Sequence, residues 1–142
     1  MAAFGEVTPN SNVFKYTGKF LWVKLGPLPA SWVKNFSNAH TISFDVKFDH
    51  DVKLKKDANG NPWFTFVVAD QGSDFKWNQT TGSGVVPQSG GTIKAGTYTI
   101  SVPVKGIPSS VLKDKNQFFS VGPNTSGLVE KANFIINHLR AK

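Results

Sequence analysis

The strongest constraint on the fold of this chain is an alternation of apolar and polar residues with a period of two. In the stretch TISFDVKFD (41–49) every second side chain is apolar, beginning with Ile42 and ending with Phe48. Successive side chains of a strand point to opposite faces of a sheet, so the stretch predicts a strand with one buried face. Similar alternation marks GKFLWVKL (18–25), WFTFVVAD (63–70), TYTISVPV (97–104) and ANFIINHL (132–139).

The segments between these stretches indicate turns rather than long helices. The turn DANGNP (57–62) predicts a hairpin between TISFDVKFD and WFTFVVAD, because Asn59 and Gly60 tolerate positive φ. FKWNQ (75–79) and NQFFSVG (116–122) add short strands. Only PASWVKNFS (29–37) and PSSVLKDK (108–115) could hold a helical turn, each with Ser as a candidate N-cap.

These elements predict an all-β fold, an antiparallel two-sheet β-sandwich of the jelly-roll kind. Parallel strands are excluded because the chain lacks crossover helices. The alternating apolar positions give the predicted core: Leu21, Val23, Phe44, Val46, Phe64, Phe66, Ile100, Val102, Phe134 and Ile136.

The length of 142 residues fits one domain, 1–142, large enough to bury a hydrophobic core. Residues 1–3 resemble a cloning junction, so we expect a domain excised from a longer protein. The sequence has no cysteine, which excludes thiolate metal sites, disulfides and cysteine nucleophiles. No apolar run has the length of a membrane helix, and no membrane partner is expected.

The net charge of +7 rests almost wholly on lysine, since Arg140 is the only arginine among 16 basic residues. Recognition of phosphates and base edges favours the planar, bidentate guanidinium group. The lysines therefore indicate a solubilising surface, and we expect no nucleic-acid partner.

Catalytic motifs are absent from the sequence. The three histidines, His40, His50 and His138, have no metal-binding spacing such as HExxH, and there is no GxSxG elbow or phosphate loop. The nine acidic residues fall mainly in turns and on polar strand faces, with no spacing that predicts a glycosidase pair. We therefore expect a protein that is not an enzyme.

Three tryptophans occupy positions that a buried core does not explain. Trp22 and Trp63 lie on the face opposite the aliphatic residues of their own strands, and Trp77 lies in the polar stretch DFKWNQT (74–80). An exposed indole forgoes several kcal/mol of burial at about 25 cal/mol per Å², so it calls for a reason. Trp32, in the compact PASWVKNFS segment, is assigned instead to one end of the core.

A sugar ring suits such an aromatic surface, since its faces present C–H bonds and its rim presents hydroxyl groups. Neighbouring strands lie about 4.8 Å apart, close to the repeat of one sugar residue, so rings on several strands could stack along one chain. Lys24 shares the strand face of Trp22, and Gln79 that of Trp77. The predicted ligand-binding residues are therefore Trp22, Trp63, Trp77, Lys24 and Gln79.

Three stretches resemble the strands of β-jelly-roll carbohydrate-binding modules. EKANFIINHLRAK (130–142) resembles their last strand, TISFDVKFD resembles an internal strand, and GTYTISVPV (96–104) resembles the strand before the closing region. The resemblance implies a secreted, extracellular and monomeric module. It would bind β-linked plant cell-wall polysaccharide and tether a catalytic glycoside hydrolase domain to it. Many such modules hold a structural calcium ion partly through an acidic residue of the last strand. This chain has Asn137 and His138 there, so no cofactor is expected.

Two other functions fit the same sequence. A pectin-binding module would use lysines such as Lys24, Lys53, Lys55 and Lys56 against uronate carboxylates, and its affinity would fall steeply with salt. A structural jelly roll that contacts other proteins would cover its indoles and cluster its lysines.

Overall fold

The computed structural model describes residues 2–3, 14–16, 23–24 and 37–141. Within these ranges the chain forms twelve strands and one short helix, α1 (Ser109–Leu112). The strands are β1 (Ala2–Ala3), β2 (Phe14–Tyr16), β3 (Val23–Lys24), β4 (Thr41–Phe48), β5 (Val52–Lys53), β6 (Phe64–Gln71), β7 (Trp77–Gln79), β8 (Gly84–Val85), β9 (Thr92–Ile93), β10 (Gly96–Pro103), β11 (Phe118–Thr125) and β12 (Ala132–Ala141).

The strands form two five-stranded sheets and a small two-stranded sheet. Sheet A has the order β1-β12-β4-β10, with β2 also paired to β12; sheet B has the order β3-β11-β6-β7, with β8 also paired to β6. The pairs β4–β10, β4–β12, β6–β11 and β6–β7 are all antiparallel. The predicted all-β antiparallel sandwich is therefore confirmed, while its jelly-roll connectivity stays a prediction.

The two sheets share one core built from the alternating apolar positions. Rings from sheet A contact rings from sheet B, with centroids 5.4 Å apart for Phe44–Phe66 and 5.6 Å apart for Phe134–Phe66. Eight predicted core residues are confirmed as buried: Phe44, Val46, Phe64, Phe66, Ile100, Val102, Phe134 and Ile136. Of the other two, Leu21 lies outside the described residues, and only the backbone of Val23 is described.

The predicted hairpin between β4 and β6 is wrong. β4 belongs to sheet A and β6 to sheet B. Their side chains therefore meet across the core, and their backbones are not hydrogen-bonded neighbours. The turn itself forms as expected, with Gly60 at φ 81° and the Asp57 carboxylate accepting the N–H groups of Asn59 and Asn61. Alternation fixed the buried faces of both strands, but it carries no information about which strands are neighbours.

The helical turn predicted in PSSVLKDK is confirmed as α1, although its capping differs. Pro108 occupies the N-cap position without a side-chain hydrogen bond, so the predicted serine cap is wrong. The other candidate turn, PASWVKNFS, lies outside the described residues except for Ser37. Among the described residues, no helix is long and apolar enough to cross a membrane.

A β-bulge in β12 changes which residues face the core. Asn137 pairs with Asp45 and Arg140 with Ser43, which leaves two residues of β12 opposite one residue of β4. His138 has a positive φ of 52°, and burial shifts from Ile136 to Leu139 beyond it. The extra residue therefore reverses the alternation and sends the His138 side chain to the outer face of sheet A, with Nδ1 3.4 Å from Asp45 Oδ2.

Candidate functional site

The structure places three of the five predicted binding residues on one sheet. Trp77 and Gln79 lie in β7, at the edge of sheet B, and the backbone of Lys24 lies in β3 of the same sheet. Trp22 lies outside the described residues. Trp63 immediately precedes β6 and is half-buried.

One cross-strand row connects the positions of Lys24 and Gln79. Lys24 is opposite Ser120, Ser120 is opposite Ala69, and Ala69 is opposite Gln79. This row spans three strand spacings, or about 14 Å. However, Ala69 and Ser120 are buried, so a ligand cannot contact the middle of the row. A sugar chain therefore cannot follow this row straight across the sheet, whereas Trp77 and Gln79 at its β7 edge are exposed.

Trp63 lies at the opposite end of β6 from Trp77. Trp77 pairs with Gln71, which is eight residues beyond Trp63, a separation of about 26 Å along an extended strand. The Trp63 indole N–H donates to Asp57 Oδ2 at 3.1 Å, and its backbone N–H donates to Ser126 Oγ at 2.9 Å. These bonds hold Trp63 against the turn before β6, so it does not share a site with Trp77.

Trp77 presents an exposed indole on the edge strand of sheet B. Its relative exposure is 41%, and its Nε1–H donates to Gln79 Oε1 at 3.3 Å. Residues two apart on a strand share a face, so this bond connects neighbouring side chains on the same side of β7. The bond fixes the orientation of the ring, while Gln79 itself remains exposed to solvent.

Phe75 is a second exposed ring that the sequence analysis did not select. Its relative exposure is 70%, the largest among the exposed large hydrophobic residues of the described chain. Its φ is 59°, a left-handed conformation that is uncommon for a bulky residue. Its position two residues before Trp77, in an otherwise polar stretch, is the signal that could have identified it.

The turn that carries Phe75 is held by a dense set of hydrogen bonds. The Phe75 N–H donates to the Gly72 carbonyl at 2.9 Å, and Gln71 Nε2 donates to the Phe75 carbonyl at 2.9 Å. The Lys76 N–H donates to Asp74 Oδ1 at 3.0 Å. We call residues 71–79, with both rings, the aromatic hairpin.

Asp114 ties the aromatic hairpin to the loop after α1. Its carboxylate accepts the backbone N–H and the hydroxyl of Ser73, each at 2.7 Å from Oδ2, and the N–H of Asn116 at 2.8 Å. These hydrogen bonds lower the pKa of Asp114 below its usual range. The base of the hairpin is therefore anchored by a carboxylate that is ionised at neutral pH.

The outer face of sheet A is polar and internally hydrogen-bonded. Ser43 bonds to Ser101 at 2.8 Å, and Thr99 Oγ1 donates to Asp45 Oδ1 at 2.9 Å. Within the part of the chain that the structure describes, no group of three or more His, Cys, Asp or Glu side chains could hold a metal ion. The described part of this face offers hydroxyl groups and no exposed aromatic ring, unlike the aromatic hairpin.

Asp70 is the unusual polar residue of the core. It faces inward from β6 and is fully buried, and neither carboxylate oxygen has a hydrogen bond of good geometry with a described residue. Burial raises the pKa of Asp70 to about 8; the nearby Gln71 backbone N–H partly opposes this shift, and the negative charge of Asp114 adds to it. Gln117 is also fully buried, and its Oε1 receives no hydrogen bond from the described residues.

Comparisons with protein-family models, curated proteins and solved structures find no match.

Proposed function

We propose that this protein binds neutral β-linked polysaccharide of the β-1,4-glucan type without catalysing its cleavage, and that Trp77 carries the binding. The observation behind the proposal is the exposed, oriented indole of Trp77 on the edge of sheet B. An indole with a 41% exposure leaves roughly 60 to 100 Å² of ring surface in water, which forgoes about 2 kcal/mol of burial. Stacking against a sugar ring would recover that loss.

The side chains around Trp77 suit a hydroxylated ligand. Gln79 is exposed on the same face of β7, and Lys76 is exposed immediately before Trp77. Amide and ammonium groups donate hydrogen bonds to the hydroxyl groups on the rim of a sugar, while the indole contacts the C–H groups of its face. This division matches the usual composition of a ligand site, with apolar surface for affinity and a few polar groups for orientation.

The wider setting of the proposed module follows from the resemblance of its strands to those of carbohydrate-binding modules. We propose that it acts outside the cell as a monomer attached to a glycoside hydrolase, and that it requires no cofactor for binding. Purified protein incubated with glucan or xylan should then release no reducing sugar, and release that survives careful purification would contradict the non-catalytic part of the proposal.

A second candidate function is binding of acidic polysaccharide such as pectin. Around β5 the burial alternates, with Val52 and Leu54 buried and Lys53 and Lys55 exposed, followed by the exposed Lys56. This places several ammonium groups on one edge segment that a polyuronate could follow. Such binding would be strongly screened by salt, whereas stacking on a neutral sugar would not.

Affinity gel electrophoresis separates the two candidates. We would compare migration in gels containing hydroxyethyl cellulose, mixed-linkage β-glucan, xyloglucan, mannan, xylan or polygalacturonate, each at low and high ionic strength. Retardation by a neutral glucan that is insensitive to salt is the expected result. Retardation by polygalacturonate alone, lost at high salt, would favour the lysines around β5. No retardation in any gel would refute both functions.

A further inference from the structure

We propose that Phe75 forms a second sugar-binding subsite beside Trp77, so that the aromatic hairpin takes a β-linked glycan of at least two sugar units. This inference rests on the proposed function and deepens it, since it assigns a residue and a minimum ligand length to the same site. It also moves the ligand from the middle of sheet B, where Ala69 and Ser120 are buried, to the edge formed by residues 71–79.

The conformation of Phe75 is unfavourable in two independent ways. Its ring is 70% exposed, and its backbone lies at φ 59°, where glycine, asparagine or aspartate would be less strained. A residue selected only for stability at this turn position would be glycine or asparagine. Strained, exposed positions of this kind concentrate at ligand sites.

Hydrogen bonds also hold the backbone of the aromatic hairpin, which carries both rings, in a defined conformation. The turn around Phe75 is closed by hydrogen bonds that the Gly72 carbonyl and the Asp74 carboxylate accept and that Gln71 Nε2 donates, and Asp114 anchors its base. The Trp77 ring is oriented separately by Gln79. A preformed backbone loses little conformational entropy when a ligand binds the rings it carries, which favours a binding role over an incidental exposure.

The charges around the two rings favour a neutral ligand. Asp74 is exposed at the turn, and Asp114 lies at its base with a lowered pKa, while the exposed Lys76 lies between Phe75 and Trp77 in the sequence. The carboxylates of Asp74 and Asp114 are offset by the ammonium groups of Lys76 and Lys115, so this surface has no net positive charge that would attract an anionic membrane surface or a polyuronate chain. A neutral glycan needs no such attraction and can use the same groups as hydrogen-bond partners for its hydroxyl groups.

The test is calorimetry with cello-oligosaccharides of one to four glucose units, on the parent protein and on Phe75→Gly and Phe75→Asn. We expect affinity to increase with ligand length in the parent protein. Both variants should bind the tetrasaccharide about tenfold or more weakly, by analogy with stacking of bases on aromatic side chains, and should lose most of the gain with length. Their melting temperatures should be unchanged or higher, because both residues tolerate positive φ. Val129→Ala removes an exposed apolar side chain elsewhere, at 55% exposure, and should bind like the parent.

Two results would overturn this inference and leave the proposed function intact, and a third would refute both. Parent-like affinity and length dependence in both Phe75 variants, with binding still lost in Trp77→Ala, would leave Trp77 as the binding ring and remove Phe75. A clear fall in melting temperature for both variants would show that Phe75 is a packing residue. If the parent protein bound no oligosaccharide but sedimented with phosphatidylserine vesicles in a Phe75-dependent way, the proposed function and this inference would both fail in favour of a membrane contact.

Discussion

The buried carboxyl group of Asp70 should make the free energy of unfolding decrease as pH rises, and Asp70→Asn should abolish this contribution. The folded protein holds the pKa of Asp70 at about 8, against an ordinary value near 3.8 in the unfolded chain. Between these values the folded protein binds a proton at Asp70 that the unfolded chain has released. This group's contribution to stability is therefore fully present at low pH and is lost as pH rises through that window.

The magnitude follows from the width of that window. From 3.8 to pH 7 there are about three pH units, each worth about 1.4 kcal/mol, so ionisation in the unfolded chain costs the fold about 4 kcal/mol at pH 7. Asparagine has nearly the same shape and does not ionise, so the variant escapes this cost.

Urea unfolding of the parent protein and Asp70→Asn at pH 4 and pH 7 measures this effect. We expect similar free energies of unfolding at pH 4 and a variant more stable by about 3 to 4 kcal/mol at pH 7. The lowered pKa values of Asp51, Asp57 and Asp114 stabilise the fold as pH rises, which is the opposite trend. Both proteins share these three groups, so their effect cancels when the variant is compared with the parent at each pH. A difference between the two proteins that does not change with pH would refute the reasoning. Calcium that stabilises the parent protein but not the variant would also refute it, because Asp70 would then be an ionised ligand of the metal in the folded protein.

Two further predictions concern the core. Phe44→Ala removes a fully buried ring that contacts Phe66 across the two sheets, and it should lower the free energy of unfolding by about 3 to 5 kcal/mol; an unchanged denaturation midpoint would contradict the packing described here. Gly84→Ala would place a Cβ 2.4 Å from Ile100 Cγ2 and 2.9 Å from the Ser101 carbonyl, so a loss of about 1 to 3 kcal/mol is expected in the same assay. A variant as stable as the parent would show that β8 can move away from β10.

The buried faces of the main strands could be predicted from the sequence because alternation is a local property. Phe44, Phe66, Ile100 and Phe134 are buried as the pattern requires. The neighbours of each strand could not be predicted in the same way, since pairing depends on contacts between distant segments. The wrong hairpin between β4 and β6 and the unforeseen bulge at His138 both have this origin.

The candidate site was predicted only in part. Trp77 and Gln79 could be selected because an indole in a polar stretch has no local apolar partner. Phe75 was not selected although it lies two residues before Trp77, because its left-handed backbone depends on hydrogen bonds with Gly72 and Gln71 that the sequence does not display. The separation of Trp63 from Trp77 likewise depends on the three-dimensional course of β6.

The most direct test of the central claim is calorimetric titration of Trp77→Ala with a soluble β-glucan, together with its thermal melt. We predict that binding weakens by about 1 to 3 kcal/mol while the melt is unchanged, because the ring is exposed and lies on an edge strand. Trp63→Ala is the matched control: it removes the same side chain at the other end of β6, breaks the bond to Asp57, and should lower the melting temperature while leaving glucan affinity intact. Parent-like affinity in Trp77→Ala with an unchanged melt would contradict the account.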